Sequence, residues 1–161
     1  MKRNVAWTIL CLAMLFVCVR AAAWEDDHTC SASGVAGQWG YSETGTVMTP
    51  NGPVPYSSLG RYTLDRDGNY SGARTATIGG NIQKATFTGT ATVKLDCTGK
   101  ITIKFYDLSG TLLNTVVKAV VYVNNETEAH AIVTSVVLPN GASVLTVLTT
   151  EANKLFFEDE H

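Results

Sequence analysis

The sequence predicts an all-β domain, an eight-stranded antiparallel up-and-down β-barrel. Three observations support this: segments of alternating apolar and polar residues recur along the chain, short turns rich in Gly, Asn and Asp join them, and no stretch has a convincing helical period. Consecutive hairpins favour a meander, and eight strands with one apolar face close into a barrel that has no exposed edge. A two-sheet β-sandwich is the alternative.

Residues 1–23 predict a secretory signal peptide, in which Lys2 and Arg3 precede a short apolar run and an alanine triplet offers a cleavage site before Trp24. Its removal would leave 138 residues, enough for one domain, and would change the formal net charge from −2 to −5. An acidic domain without a basic stripe argues against a nucleic acid or an anionic membrane as partner. We therefore expect a secreted or periplasmic protein.

Two of the four cysteines, Cys30 and Cys97, would remain after cleavage. In an oxidising compartment they are expected to form a disulfide, which would tie a small, polar tail at residues 24–37 to the barrel domain at residues 38–157. The chain-entropy model gives such a bridge roughly 4 kcal/mol. We predict no cofactor and no metal site, because two cysteines supply too few ligands. The acidic C-terminus at residues 158–161 is predicted to be a solvated tail.

The first three strands are predicted at residues 38–48, 54–64 and 70–78. The first strand places Trp39, Tyr41 and Glu43 on one face. Turns that contain Pro, Asn, Asp and Gly separate the strands, since these residues favour tight turns. The third strand is predicted to be weak because Gly72 and Ala73 leave little to pack.

The fourth and fifth strands are predicted at residues 84–97 and 101–106. The fourth alternates throughout, with Phe87, Val93 and Leu95 facing inward and a ladder of threonines facing outward. A turn of sequence DCTG, which contains Cys97, follows it. Aromatic residues inward with hydroxyl and ammonium groups outward are typical of a water-soluble barrel, because an outer-membrane barrel has the reverse polarity.

The last three strands are predicted at residues 111–123, 130–138 and 142–150. Both of their faces are largely apolar, although Lys118 interrupts one of them. Strands that are apolar on both faces are typically covered on both sides. We therefore expect the inner face to be buried in the barrel and the outer face against a second copy of the chain. The segment 155–157 is expected to lie on the body of the barrel.

Gly37-Gln38-Trp39, at the start of the first strand, resembles the Gly-x-Trp signature of the lipocalin and wider calycin barrels. This resemblance implies that the tryptophan plugs the closed end and that a hydrophobic small molecule binds in the open mouth. The runs GRYTLDRDGNYSG, DCTG and AVVYVNN resemble those of a group of secreted bacterial proteins of unassigned function. The barrel plan is also similar in shape to that of allene oxide cyclase-like proteins, which are oligomeric.

Eight side chains are predicted to point into the barrel and are our candidate ligand-binding residues: Trp39, Tyr41, Glu43, Tyr62, Tyr70, Arg74, Phe87 and Phe105. Glu43 and Arg74 are the most informative, because a charge inside a barrel must be paired or neutralised. One interpretation is a pocket with aromatic walls and a polar anchor. The other is a structural ion pair or a set of bonds to tyrosine hydroxyls, with the aromatic residues as ordinary core.

Three functions remain open from the sequence. The barrel could bind a small apolar or aromatic molecule, it could be a structural protein that oligomerises through its C-terminal strands, or it could be a cofactor-free cyclase or isomerase that uses Glu43 as acid or base. Conventional hydrolase chemistry is not predicted, because no nucleophile motif accompanies His130, the one histidine outside the tails. Whether the protein is an enzyme is left undecided.

Overall fold

The computed structural model describes residues 29–156, so the predicted signal peptide, residues 24–28 of the predicted polar tail and the acidic C-terminus lie outside the described residues. The described chain contains one short helix and eight strands: α1 (Ala32–Val35), β1 (Gly37–Thr49), β2 (Gly52–Leu64), β3 (Asn69–Ile78), β4 (Asn81–Val93), β5 (Thr98–Tyr106), β6 (Leu112–Val123), β7 (Glu128–Val137) and β8 (Thr146–Lys154). No helix in this part of the chain has the length and apolar character needed to cross a membrane.

The eight strands form a closed barrel in which each strand is antiparallel to the next. β8 closes the ring by pairing with β1, from Trp39 opposite Lys154 to Val47 opposite Thr146. Every strand therefore has two hydrogen-bonded neighbours, and the sheet has no free edge. The predicted up-and-down barrel is confirmed, and the alternative sandwich is wrong.

Aspartate side chains stabilise the hairpin turns at the expected places. In the β2–β3 turn, the carboxylate of Asp65 accepts hydrogen bonds from the backbone N–H groups of Asp67 and Asn69. Between β5 and β6, the carboxylate of Asp107 likewise accepts hydrogen bonds from the backbone N–H groups of Ser109 and Thr111. Such side-chain acceptors mimic a backbone turn, which is why Asp is common at these positions. They fix where each strand begins and ends, and hence which residues point inward.

Two glycines let large rings lie flat against the inner wall of the barrel. A Cβ on Gly72 would lie 2.6 Å from Cζ of Phe87, which is its cross-strand partner. A Cβ on Gly60 would lie 2.6 Å from a ring carbon of Tyr41, its partner on β1. Gly72 therefore does not weaken β3, as the sequence alone suggested, because the neighbouring ring fills the space that its missing side chain leaves.

The N-terminal segment closes one end of the barrel instead of forming an aperiodic tail. Cys30 is bonded to Cys97 in the β4–β5 turn, which confirms the predicted disulfide. Ser31 caps α1 by accepting a hydrogen bond from the N–H of Gly34. Val35 at the end of α1 is fully buried, and its carbonyl accepts a 3.0 Å hydrogen bond from Nε1 of Trp39. The helical turn, which we did not predict, thus covers this end of the barrel and holds the Trp39 ring by a hydrogen bond.

The structure corrects the boundaries of two strands. β4 ends at Val93, so Leu95 lies in the following turn with 72% of its surface exposed and does not face inward. β8 spans Thr146–Lys154 and not 142–150, because residues 138–145 form a longer loop that starts with a turn closed by Leu138 and Ala142.

The burial of the outer face of the last three strands against a second copy of the chain stays a prediction. Within residues 29–156 their outer side is left uncovered, and Val121, Ile132 and Val147 are 39%, 55% and 66% exposed. Past the end of β8, Leu155 is partly buried but Phe156 is 75% exposed, so only one of these two residues lies on the body. Phe157 lies outside the described residues.

Candidate functional site

The interior of the barrel has two parts that are filled differently. The closed half lies toward α1 and the disulfide and contains an aromatic stack: Trp39, Tyr41, Tyr62, Tyr70, Phe87 and Tyr122. The open half lies toward the β1–β2, β3–β4, β5–β6 and β7–β8 turns and contains a cavity of about 290 Å³. Phe105 and Glu43 lie where the two halves meet.

Continuous ring contacts fill the closed half. Trp39 is fully buried and stacks on Tyr62, with ring centroids 5.9 Å apart, and Tyr62 stacks on Tyr70 at 4.4 Å. Tyr70 in turn stacks on Phe87, whose ring meets Phe105 edge to face at 5.2 Å. Such pairs add to the free energy gained by burying the rings. The stack therefore seals this end of the barrel and forms the base of the cavity.

All eight strands contribute to the wall of the cavity. Most of the wall is aliphatic, and its two charged groups, Glu43 and Arg74, lie on the side formed by β1–β3. The lining residues are Glu43, Val47, Tyr56, Arg74, Ile78, Gln83, Phe105, Leu113, Asn114, Val116, Val133, Val136, Leu138, Val144, Thr146 and Leu148. An apolar concave wall with a small number of placed polar groups is the usual composition of a small-molecule site.

A buried ion pair lies at the floor of the cavity. The ammonium of Lys118 on β6 is 2.5 Å from Oε1 of Glu43 on β1, and both side chains are almost completely buried. Thr150 on β8, directly opposite Glu43 in the sheet register, donates a 2.9 Å hydrogen bond to the same oxygen. Lys118 also donates to the Thr150 hydroxyl at 2.8 Å. These three groups form a closed triangle of polar contacts.

The second carboxylate oxygen continues the network to Arg74. The Tyr56 hydroxyl donates to Oε2 of Glu43 at 3.1 Å and accepts a 2.6 Å hydrogen bond from Nη1 of Arg74. The guanidinium carbon of Arg74 lies 3.8 Å from the centroid of the Phe105 ring, a close cation–π contact. Glu43 and Arg74 are therefore linked through the Tyr56 hydroxyl, which is the tyrosine-bonded form of the second interpretation, and not by a direct ion pair.

Burial and the neighbouring charges shift the pKa values of these groups. Burial raises the pKa of the Glu43 carboxyl, but the adjacent Lys118 ammonium, the hydrogen bonds from Lys118 and Thr150 and the charge of Arg74 together bring it below its ordinary value. Burial is also the main reason that the pKa of Lys118 is lowered, against the opposing effect of Glu43. Burial raises the pKa of Tyr41 to about 12. Glu43 is thus ionised at neutral pH and is a hydrogen-bond acceptor.

The eight predicted site residues all have buried side chains, but they divide between the two halves. Glu43, Arg74 and Phe105 line the cavity. The other five belong to the aromatic stack of the closed half: Trp39, Tyr41, Tyr62, Tyr70 and Phe87. Their proposed role in ligand binding stays a prediction for all eight.

The sequence-based set omitted the polar residues that complete the site. Tyr56 was in phase with the inward residues of the second strand, so the alternation alone could have added it. Lys118 shares its face with Val116, Val120 and Tyr122, but a lysine gives no sign of burial until its partner is known. The rule that ammonium and hydroxyl groups point outward is wrong for Lys118 and Thr150.

Within residues 29–156, no three His, Cys, Asp or Glu side chains come together in a way that could hold a metal ion. The polar groups of the site are one carboxylate, two cations, hydroxyls and the side-chain amides of Gln83 and Asn114, which suit hydrogen bonding to an organic ligand better than metal coordination.

Comparisons with known proteins support the architecture. No family model matches the chain, so no specific membership among the lipocalins is supported, and no curated protein matches it. Among solved structures the chain is similar to a redesigned β-barrel, mFAP1, whose structure was determined bound to DFHBI. The TM-score is 0.50 at 19% sequence identity, and the match covers 77% of this chain and 98% of mFAP1. At this level of identity the similarity establishes a shared barrel fold.

Proposed function

We propose that the protein binds a small apolar or aromatic molecule in the open half of its barrel. The observation that carries this proposal is the cavity of about 290 Å³, which has a largely aliphatic wall and a small number of polar groups. A core that served stability alone would be packed without such a space, because unfilled volume in a protein interior is destabilising. The structural neighbour mFAP1, which was solved bound to DFHBI, shows that a barrel of this plan can hold an organic ligand.

The polar groups of the cavity would orient the ligand. Arg74, Tyr56 and Glu43 lie on neighbouring strands and present one guanidinium, one hydroxyl and one carboxylate. The aliphatic side chains of Val133, Leu148 and their neighbours would surround the rest of the molecule. Apolar burial would thus supply most of the affinity, and the polar side would select the ligand.

Fluorescence titration tests this proposal with N-phenyl-1-naphthylamine, a neutral probe that becomes brighter in an apolar environment. We expect saturable brightening with the wild-type protein. The Val133→Phe variant places a ring in the cavity and should reduce the affinity by at least about tenfold, since it displaces the probe. Ile132→Phe is the matched control, because the neighbouring residue of the same strand points outward.

Two results would contradict the proposal. One is the absence of saturable brightening in the wild-type protein. The other is an equal loss of brightening in Val133→Phe and Ile132→Phe, which would place the probe on the outer surface and not in the cavity.

A second candidate function is assembly through the uncovered outer face of β6–β8, defined by Val121, Ile132 and Val147. Three large aliphatic side chains on one face of neighbouring strands favour burial against another copy of the chain. Light scattering at micromolar concentration tests it: an oligomer that Ile132→Lys dissociates supports this function, and a wild-type monomer contradicts it.

The geometry favours the cyclase or isomerase hypothesis least. Glu43 already accepts hydrogen bonds from Lys118, Thr150 and Tyr56, and its pKa lies below its ordinary value. A general acid needs the opposite shift, toward neutrality. Glu43 is therefore proposed as part of the binding site and not as a proton donor.

A further inference from the structure

The charges at the floor of the cavity do not balance. Glu43 contributes one carboxylate, whereas Lys118 and Arg74 contribute two cations. The other buried carboxylate of the described chain, that of Glu126, lies at the opposite end of the barrel, where it accepts a hydrogen bond from the backbone N–H of Ser31. The open half therefore carries one positive charge in excess, and an excess charge in a low-dielectric interior is unfavourable unless something compensates it.

We assign the excess charge to Arg74, because the Glu43 carboxylate is already in direct contact with the Lys118 ammonium and Arg74 has no such contact with a carboxylate in the described part of the chain. Arg74 is only 8% exposed and lines the cavity. Its Nη1 atom donates to the Tyr56 hydroxyl, but no residue in the range 29–156 accepts a hydrogen bond from its Nε atom. Within the same range Arg74 has no ion-pair partner. A buried guanidinium without a carboxylate partner among the described residues thus lies at the wall of an apolar cavity.

We propose that the open half recognises an anionic organic molecule, in which a carboxylate binds Arg74 and an apolar body of one or two rings occupies the cavity. This inference rests on the proposed function and narrows its ligand class. A guanidinium offers parallel N–H donors that match the two oxygens of a carboxylate, and such charge-assisted bonds are stronger than neutral ones. The Phe105 ring, which stacks on Arg74, would hold the guanidinium plane in place.

Matched probes of nearly identical shape test this inference: 2-naphthoate, its uncharged analogue 2-naphthamide and the cation 2-naphthylmethylammonium, each titrated by calorimetry at pH 7. We expect the wild-type protein to bind 2-naphthoate at least about tenfold more tightly than 2-naphthamide. The cation should bind most weakly. In Arg74→Met the preference for the carboxylate should fall to about twofold or less, while 2-naphthamide still binds.

A control variant separates the effect of Arg74 from that of overall charge. Lys104→Met also removes one cation, but it does so on the exposed outer side next to Phe105, and should leave the preference unchanged. Arg74→Lys keeps the charge without the planar fork and should give an intermediate preference. If Arg74→Met does not fold, as judged by circular dichroism, the ratio measured with the wild-type protein and Arg74→Lys decides.

The outcomes distinguish the two proposals. Equal wild-type affinities for 2-naphthoate and 2-naphthamide would overturn the anionic ligand class and leave the proposed binding function intact, because the interior charges would then balance without a ligand. Absence of saturable binding for all three probes and for N-phenyl-1-naphthylamine would overturn both. A full carboxylate preference in Arg74→Met would show that the anion binds elsewhere and would overturn the assignment of Arg74.

Discussion

The closed and open halves of the barrel are built from the same eight strands but are filled in different ways. In the closed half, rings on successive strands contact each other from Trp39 to Phe87, and two glycines make room for them. In the open half, aliphatic side chains leave a cavity, and the buried charges are concentrated in one network around Glu43. The barrel is therefore tightly packed at one end and contains a cavity with buried charges at the other.

This difference suggests a division between stability and recognition. Packed rings contribute apolar burial and dispersion, whereas a cavity and incompletely paired buried charges reduce stability. The disulfide and α1 also lie at the closed end, so crosslinking and plugging reinforce the half that is already well packed. The predictions below test whether the free energy of folding is indeed unequally distributed between the halves.

The largest effect is expected for Trp39→Ala in the closed half. It removes a fully buried ring, two ring contacts and the hydrogen bond to Val35, and should lower the free energy of unfolding by about 3–5 kcal/mol. Leu148→Ala in the open half should cost only about 2 kcal/mol, because one side of this residue already faces the cavity. Urea denaturation measures both values, and equal losses would contradict the proposed division.

The next largest effect is expected for Lys118→Met, which leaves the Glu43 carboxylate without its closest counter-charge. Breaking a buried ion pair on one side costs about 3 kcal/mol. The double variant Glu43→Gln/Lys118→Met should recover most of this loss, because it also removes the carboxylate that has lost its ammonium and leaves the net charge of the network as it is in the wild-type protein. Urea denaturation of the two variants supplies the comparison, and a double variant that is less stable than Lys118→Met would show that the pair itself stabilises the fold.

Much of this arrangement follows from the period of the strands. Alternation predicted the closed barrel and the burial of all eight candidate residues, because a strand that buries one face must place every second residue inside. It failed at Leu95, where the chain turns before the alternation ends: Cys97 adopts a positive φ of 62° and the turn is closed between Lys94 and Cys97. The end of a strand depends on hydrogen bonds that the apolar pattern does not report.

The candidate site was harder to predict than the fold because its contacts join distant parts of the sequence. Glu43, Tyr56, Arg74, Lys118 and Thr150 come from five different strands, and their proximity depends on closure of β8 onto β1. A lysine among valines is expected to face water unless a carboxylate lies opposite it, and only the three-dimensional register shows that one does. The cavity was equally hidden, since its volume depends on side-chain packing.

A smaller effect is expected from acid. The pKa of Glu43 in the folded protein lies below its ordinary value of 4.5, so between these two values the unfolded chain binds more protons than the folded one. The contribution of Glu43 is therefore complete above pH 4.5 and is lost as the pH falls through the folded-state pKa. Urea denaturation at pH 7 and pH 3.5 should show a smaller acid-induced loss in Glu43→Gln/Lys118→Met than in the wild-type protein. Lys118 is replaced together with Glu43 because, without Glu43, burial would lower the pKa of its ammonium further.

Exposed carboxylates do not obscure that comparison. The pKa values of Asp65, Asp96 and Asp107 are also lowered, first by hydrogen bonds from Asn69, Thr98 and Ser109 side chains in their turns. These groups are unchanged in Glu43→Gln/Lys118→Met, so their contribution cancels in the difference between the two proteins. The same loss of stability in both proteins would mean that the Glu43 network does not contribute to the acid sensitivity.

The smallest effect, and the one with the opposite sign, is expected for Asn114→Leu at the wall of the open half. The side-chain oxygen of Asn114 is buried and has no hydrogen-bond partner within residues 29–156, whereas leucine has nearly the same size and no polar atom. Replacing an unsatisfied acceptor by an apolar group of similar shape is neutral or stabilising, here by up to about 1 kcal/mol. Thermal unfolding measures the change. A loss of stability would show that the Asn114 side chain forms a hydrogen bond in solution. The polar groups of the open half would then reduce the free energy of unfolding less than the structure suggests.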